Sequence, residues 1–146
     1  MKQFEDLRLS YEHMIDEIVG RIESVIMSHI SNDLVRYKRI NWHSYSIQID
    51  SMEVSSAGAN LIYNLSSKSA NIKSKISSVL YEKFINQIAC KVEELFFERL
   101  ILEHKFNRDG AKQLEFDVQF GILPFFSINS PNCFFNKYVF NFFCFF

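Results

Sequence analysis

VLYEKFINQIACKVEELFFERLILEHKF, residues 79–106, is the stretch that decides the fold. Leu80, Phe84, Ile88, Val92, Leu95, Phe96, Arg99, Leu102 and Phe106 recur every three or four positions. That spacing lines one face of an α-helix, and it is incompatible with the alternation of a half-buried strand. At ~1.5 Å per residue the segment predicts a helix of ~40 Å. Ser77-Ser78 separates it from the segment before, and Asn107-Arg108-Asp109-Gly110 reads as a turn after it. In this turn Asp109 is expected to cap the next helix, and Gly110 to relieve a close approach of two helix ends.

Upstream, Phe4, Leu7, Tyr11, Met14, Ile15, Ile18, Ile22, Val25, Ile26 and Ile30 form a second apolar stripe. A helix carrying it is expected to close near Ser31-Asn32. Residues 33–50 are less periodic and read as a connector, in which Trp42 is expected to plug the end of a helix pair. Asp50 with Glu53 predicts the next helix start, through a capping pair. Val54, Ala57, Leu61, Leu65, Ile72 and Ile76 then supply its stripe, with a fray or kink expected at 66–69. Beyond the turn, Ala111, Leu114, Val118 and Ile122 predict a last helix, widened by Phe116, Phe120, Phe125 and Phe126 and ended near Pro124. Gln113 and Asp117 stand one helical turn apart. They are either a local side-chain pair or a polar lock on the preceding turn.

The 146 residues suit one domain, and Gly and Pro are scarce at 4 and 2, which favours long helices over a sandwich. The predicted class is all-α: an elongated antiparallel helical bundle over residues 1–126 with an irregular Phe-rich tail over 127–146. That tail has neither period, and it reads as a non-native or alternative C-terminus and an aggregation hazard.

A net charge of −1 lacks the basic footprint of a nucleic-acid binder, and Arg36-Tyr37-Lys38-Arg39 and Lys68, Lys73 and Lys75 read as solvated faces. Cys90, Cys133 and Cys144 show no CxxC spacing, so neither a disulfide framework nor a zinc site is expected. His13, His29, His43 and His104 are scattered, and His104 is placed to complement a helix C-terminus. Glu93, Glu94 and Glu98 read as solvated helix face rather than acid–base chemistry. No Gly-rich phosphate loop occurs. The N-terminus carries no secretory h-region, no apolar run reaches bilayer length, and the unpaired cysteine spacing suits a reducing compartment, so a cytosolic chain is expected. With none of these side-chain groupings fit for catalysis or ligand binding, neither an enzyme nor a cofactor is expected.

The run Phe97-Glu98-Arg99-Leu100-Ile101-Leu102-Glu103-His104-Lys105-Phe106-Asn107-Arg108-Asp109-Gly110-Ala111-Lys112-Gln113-Leu114-Glu115-Phe116-Asp117-Val118 resembles the C-terminal region of RINT/TIP proteins. In that family a long helix ends in an aromatic-Asn-x-x-Gly turn, followed by a helix carrying Gln-Leu-x-Phe-Asp. Arg39-Ile40-Asn41-Trp42 is similar to its basic-aromatic connector. The resemblance marks Trp42, Phe106, Asn107, Asp109, Gly110, Gln113, Leu114, Phe116 and Asp117 as the structural turn and core.

RINT/TIP proteins are several times longer. They are subunits of the Dsl (NRZ) complex, which tethers Golgi-derived vesicles at the endoplasmic reticulum. The resemblance therefore implies a fragment of a non-enzymatic tether acting in retrograde transport, in contact with other tether subunits and ER SNAREs. It would be cytoplasmic and peripheral on the endoplasmic reticulum membrane. A stand-alone helical adaptor that binds partner helices is the alternative.

Overall fold

The computed structural model describes residues 1–47 and 52–129. Of these, 83% are helical and none lies in a strand. The elements are α1 (Lys2–Lys38), α2 (Ser56–Lys73), α3 (Ser78–Phe96), α4 (Arg108–Asp117) and α5 (Leu123–Asn129). A 3₁₀ turn spans Trp42–Ser44, and π-helical turns span Phe97–Ile101 and Val118–Ile122. The second π turn joins α4 to α5 as one rod, so four rods make the bundle.

Register follows from the cross-links. Asp33 accepts from Asn60 and Asn64, which runs α2 antiparallel to α1. Asp16 pairs with Lys83, Glu23 with Lys91 and Glu103 with Lys38, which runs α3 parallel to α1. Asp117 lies beside Tyr37 while Asn129 meets Tyr81, so the α4–α5 rod runs down beside α2. The core between the rods is lined by Leu34, Tyr37, Leu61, Phe84, Ile88, Phe96, Leu114 and Phe126, among others.

Local chemistry sets the boundaries, and several differ from expectation. α1 does not close at Ser31-Asn32 but continues to Lys38. Its buried face is Val19, Glu23, Ile26, Ile30, Leu34 and Tyr37, and the last two keep the helix packed beyond Asn32. The expected stripe from Phe4 to Ile18 is exposed instead. The predicted start at Asp50 lies outside the described residues; α2 begins at Ser56, where the Ser55 side chain caps Gly58 N–H. Residues 66–69 do not kink, because Leu65 and Ser69 are buried on one face. Ser77 caps α3 by accepting from Leu80 N–H.

α3 ends well short of residue 106. After the π turn its backbone leaves the helix, and Leu102, expected in the stripe, is 65% exposed. Glu93 is buried rather than solvated, while Glu94 and Glu98 are exposed. Pro124 does not end the last rod. It occupies the second position of α5, where a missing N–H is tolerated because the π turn has already reset the hydrogen-bond ladder. α5 crosses the expected boundary at 126 and reaches Asn129; residues 130–146 of the predicted tail lie outside the described residues. Phe116 is half-buried and Phe120 exposed, and their rings pack at a tilt with centroids 4.6 Å apart.

Candidate functional site

The nine residues singled out by sequence collect at one end of the bundle, where α4 meets the connector from α1 to α2. Two layers of polar contacts bind that connector. In the first, Asn107, not Asp109, is the N-cap of α4, since its Oδ1 accepts from Gly110 N–H at 2.7 Å. Its Nδ2 donates to Tyr45 O at 2.8 Å, and its backbone N–H donates to Trp42 O. Asp109, in the first turn of α4, accepts from Ile47 N–H at 3.2 Å, so its carboxylate serves the connector.

Gly110 is a close-approach position, though its φ is not positive. A Cβ there would collide with the Trp42 carbonyl oxygen. The crowding partner is therefore the 3₁₀ turn of the connector rather than a second helix end. Trp42 is 1% exposed, its Nε1–H donates to Tyr37 O, and its ring packs against Tyr37, Tyr45 and Phe106. This end of the bundle is sealed by aromatics, so the polar layer works in a low dielectric.

The second layer centres on Asp117, which is 0% exposed. Its carboxylate accepts from Tyr37 Oη–H at 3.0 Å, Ser55 N–H at 2.8 Å, Gln113 Nε2–H at 2.9 Å and the Ser55 hydroxyl. Four donors replace the water that a buried carboxylate loses. Gln113 also donates to Glu53 O at 2.9 Å. The pair is thus a local hydrogen bond and a lock together. What it grips is the segment 53–55 and Tyr37 of α1, not residues 107–110, expected to be a turn, of which Arg108, Asp109 and Gly110 already belong to α4. Leu114, fully buried between these two polar residues, anchors the same face of α4 in the core. Phe116 lies outside the clamp, on the outer face.

Electrostatics follow the geometry. Burial holds the Tyr37 phenol well above its ordinary value, and the Asp117 charge adds to the rise, against a smaller lowering by the Ser55 hydroxyl. Tyr45 is raised by the same two causes. Beside the clamp, His104 places its two ring nitrogens near Leu100 O and Lys38 O, bridging the C-terminal ends of the π turn and α1. Lys38 reaches Glu103 across the same gap, and this hydrogen bond, before any other cause, holds the Glu103 carboxyl below its usual range.

Sequence reading missed Tyr37, Ser55 and Gly58. Tyr37 sits within a basic cluster whose charges hide it. Ser55 and Gly58 carried a usable signal, since a serine three residues before a glycine in an Ala/Gly-rich helix start suits a cap in a crowded place. A Cβ at Gly58 would stand 2.6 Å from Tyr37 Oη.

Among the described residues, no His, Cys, Asp and Glu side chains gather as a metal site. A cleft of about 470 Å³ opens between α2, α3 and α5, lined by Ile62, Tyr81, Phe125 and Ile128 among others. No helix among the described residues is long and apolar enough to cross a membrane. Every polar group of the clamp is aimed at another group of the chain, so its chemistry is that of a fastening.

Residues 2–138 match the model of the RINT-1/TIP-1 family. No solved structure matches the chain. The match takes in both stripes, the connector and the turn, and runs past Phe126. The chain belongs to the RINT-1/TIP-1 family, which is associated with vesicle tethering.

Proposed function

We propose that this RINT-1/TIP-1 family member is a non-enzymatic part of a tethering complex in Golgi-to-endoplasmic-reticulum retrograde transport. It works by contact with other tether subunits and with ER SNAREs, from the cytoplasmic side and peripheral to the membrane. The observation that carries this reading is the family match over residues 2–138. The fold is in keeping with it: the clustered polar residues fasten the bundle, and α1 presents a long apolar face to the outside.

The clamp's role in this function is to set the direction of α1. Tyr37 and Trp42 fix the end of α1, and Asp117 and Asn107 fix the segment that follows. A rod anchored at one end in this way projects its other end at a defined angle.

Affinity purification of the tagged chain from cells, followed by identification of bound proteins, tests the reading. Tether subunits and an ER SNARE should co-purify, and depletion should delay return of a retrieval-signal cargo to the endoplasmic reticulum. Normal cargo retrieval together with absence of those partners would overturn it.

A further inference from the structure

The cleft between α2, α3 and α5 takes no part in the clamp. On α2, Ile62, Ser66, Ala70 and Lys73 border it at spacings of four, four and three, which places them on one face of that helix. On the last rod, Gly121, Pro124, Phe125 and Ile128 form the opposite wall. The small side chains of Ser66 and Ala70 leave open the space between the rods that larger ones would fill. From Ile62 to Lys73 the cleft is a groove of ~16 Å at ~1.5 Å per residue.

The two ends of the groove differ. At one end the rods touch: a Cβ on Gly121 would stand 2.5 Å from Ile62 Cδ1, so hydrocarbon closes the groove there. At the other end Tyr81 of α3 lies in the floor and Lys73 on the rim, with Nζ 5.5 Å from the centre of the Tyr81 ring. The remaining polar groups at this end are engaged. Tyr81 Oη–H donates to Asn129 Oδ1 at 2.9 Å, and Asn129 Nδ2–H donates to Phe125 O at 2.8 Å.

Lys73 meets no carboxylate among the described residues. An ammonium has three donors and no acceptor, so the group that completes this end is an anion. Neither wall supplies one, since α2 carries no Asp or Glu and residues 118–129 carry no charged side chain. Glu82, next to Tyr81 in sequence, is exposed and borders no part of the groove.

We propose that this groove binds a single acyl chain with an acidic head, as in a fatty acid, with the chain along Ile62, Phe125 and Ile128 and the head on Lys73. The inference stands apart from the tethering reading. A volume of about 470 Å³ lies within the ~300–1,000 Å³ of small-ligand sites. A partner helix, ~10–12 Å across with its side chains, would ride on the rim and leave the floor empty, whereas a hydrocarbon chain reaches the floor. The side chains of residues 130–146 include one lysine and no acid, so they bring no anion to Lys73.

Calorimetric titration of the full chain with decanoate, below the concentration at which it forms micelles, tests the proposal. One saturable site is expected. Lys73→Gln should weaken decanoate about tenfold, the share of one charge-assisted contact, and leave decanol unchanged. Shortening the ligand to hexanoate should weaken binding on the order of tenfold, because the chain no longer reaches the closed end. Ala70→Phe places a ring in the groove and should abolish binding of decanoate and decanol alike. Ala70 is exposed, so the helical circular dichroism should be kept. Lys75→Gln, a nearby lysine outside the lining, should change nothing. Absence of saturable binding up to ~1 mM would overturn the proposal. So would equal affinity for decyltrimethylammonium, which carries the opposite charge. Binding that survives Ala70→Phe would place the amphiphile elsewhere, as on the exposed stripe of α1, and the proposal would fail. It would also fail if the chain sedimented with phosphatidylcholine–phosphatidylserine vesicles yet ignored dissolved decanoate, since Lys73 would then serve a bilayer surface. Nuclear Overhauser contacts in the ligand-free chain between the Ile62 methyls and the phenyl rings of residues 134–146 would give the groove to that segment instead.

Discussion

Residues 2–18 and 19–38 of α1 carry apolar side chains at the same helical spacing, and they meet opposite fates. In the upper half Ile26, Ile30, Leu34 and Tyr37 are buried against α2, α3 and the clamp. In the lower half Phe4, Leu7, Tyr11 and Met14 face outward. Amphipathicity alone makes a helix, but it does not choose a partner for it. What distinguishes the halves is polar: the upper one is fastened at Asp33, Tyr37 and Lys38, and among the described residues the lower one pairs only with itself until Asp16.

The contrast is sharpest in matched truncations. Leu34→Ala empties a site that is 2% exposed and should cost ~2–5 kcal/mol, since the lost transfer energy and the remaining cavity add. Leu7→Ala, measured by the same denaturant melts, should stay within about 0.5 kcal/mol, because the side chain is exposed. Equal losses at the two sites would mean that the lower stripe is buried. The comparison between the halves would then collapse.

Gly110→Val probes the fastening of the upper half. The new side chain meets the Trp42 carbonyl, which cannot rotate away while Asn107 N–H is bonded to it. Either the connector or α4 must shift, at about 1–3 kcal/mol, a typical overpacking cost. Trp42 fluorescence should move to longer wavelength as the seal around its ring opens. An unshifted spectrum with native stability would show that the connector is not held from this side.

Phe116→Ala should have a smaller effect. The ring is half-buried and its main aromatic contact is the exposed Phe120, so the loss should be ~0.5–1.5 kcal/mol, as for a surface aromatic pair. A loss several times larger would place this ring in a contact that the outer face of α4 does not show.

How much of this was legible in the sequence depends on range. The all-α class and Ser77-Ser78 as a break follow from local periodicity and punctuation. The turn expected at Asn107-Arg108-Asp109-Gly110 falls earlier, at residues 102–107, and Arg108, Asp109 and Gly110 already form the first turn of α4 because Asn107 caps it. Helix ends failed where the deciding contact is distant. Asn32 can close a helix, but Leu34 and Tyr37 have core partners from α2, α3 and α4, and burial outweighs the terminator. Leu102 keeps the period of α3, but the π turn at Phe97–Ile101 shifts the register, and no residue type announces that shift. The site was half legible. Gln113 and Asp117 at helical spacing identified a polar pair, while its true partners, Tyr37 and Ser55, stand 80 and 62 positions from Asp117.

Tyr37→Phe is the finest cut, because it removes one hydroxyl and keeps the ring. The hydroxyl donates to Asp117 in a buried site, so its loss should cost ~1 kcal/mol at neutral pH. The variant should also change how stability varies with pH. Burial and the Asp117 charge raise the Tyr37 phenol above its unfolded value, so above about pH 10 the folded chain holds a proton that the unfolded chain has released. Stability contributed by this group is thus complete below the unfolded value and declines as pH rises above it. The slope approaches about 1.4 kcal/mol per pH unit for one such group. Tyr45 and Tyr81, raised chiefly by burial, add to the same decline. Urea melts between pH 8 and pH 11 (on the order of the phenol range) should therefore show wild-type stability falling toward that of Tyr37→Phe. A constant gap between the two across this range would mean that Tyr37 ionises in the folded chain as easily as in the unfolded one. The upper half of α1 would then be held by apolar packing and by the contacts of Asp33 and Lys38, with no share from the buried Tyr37–Asp117 hydrogen bond.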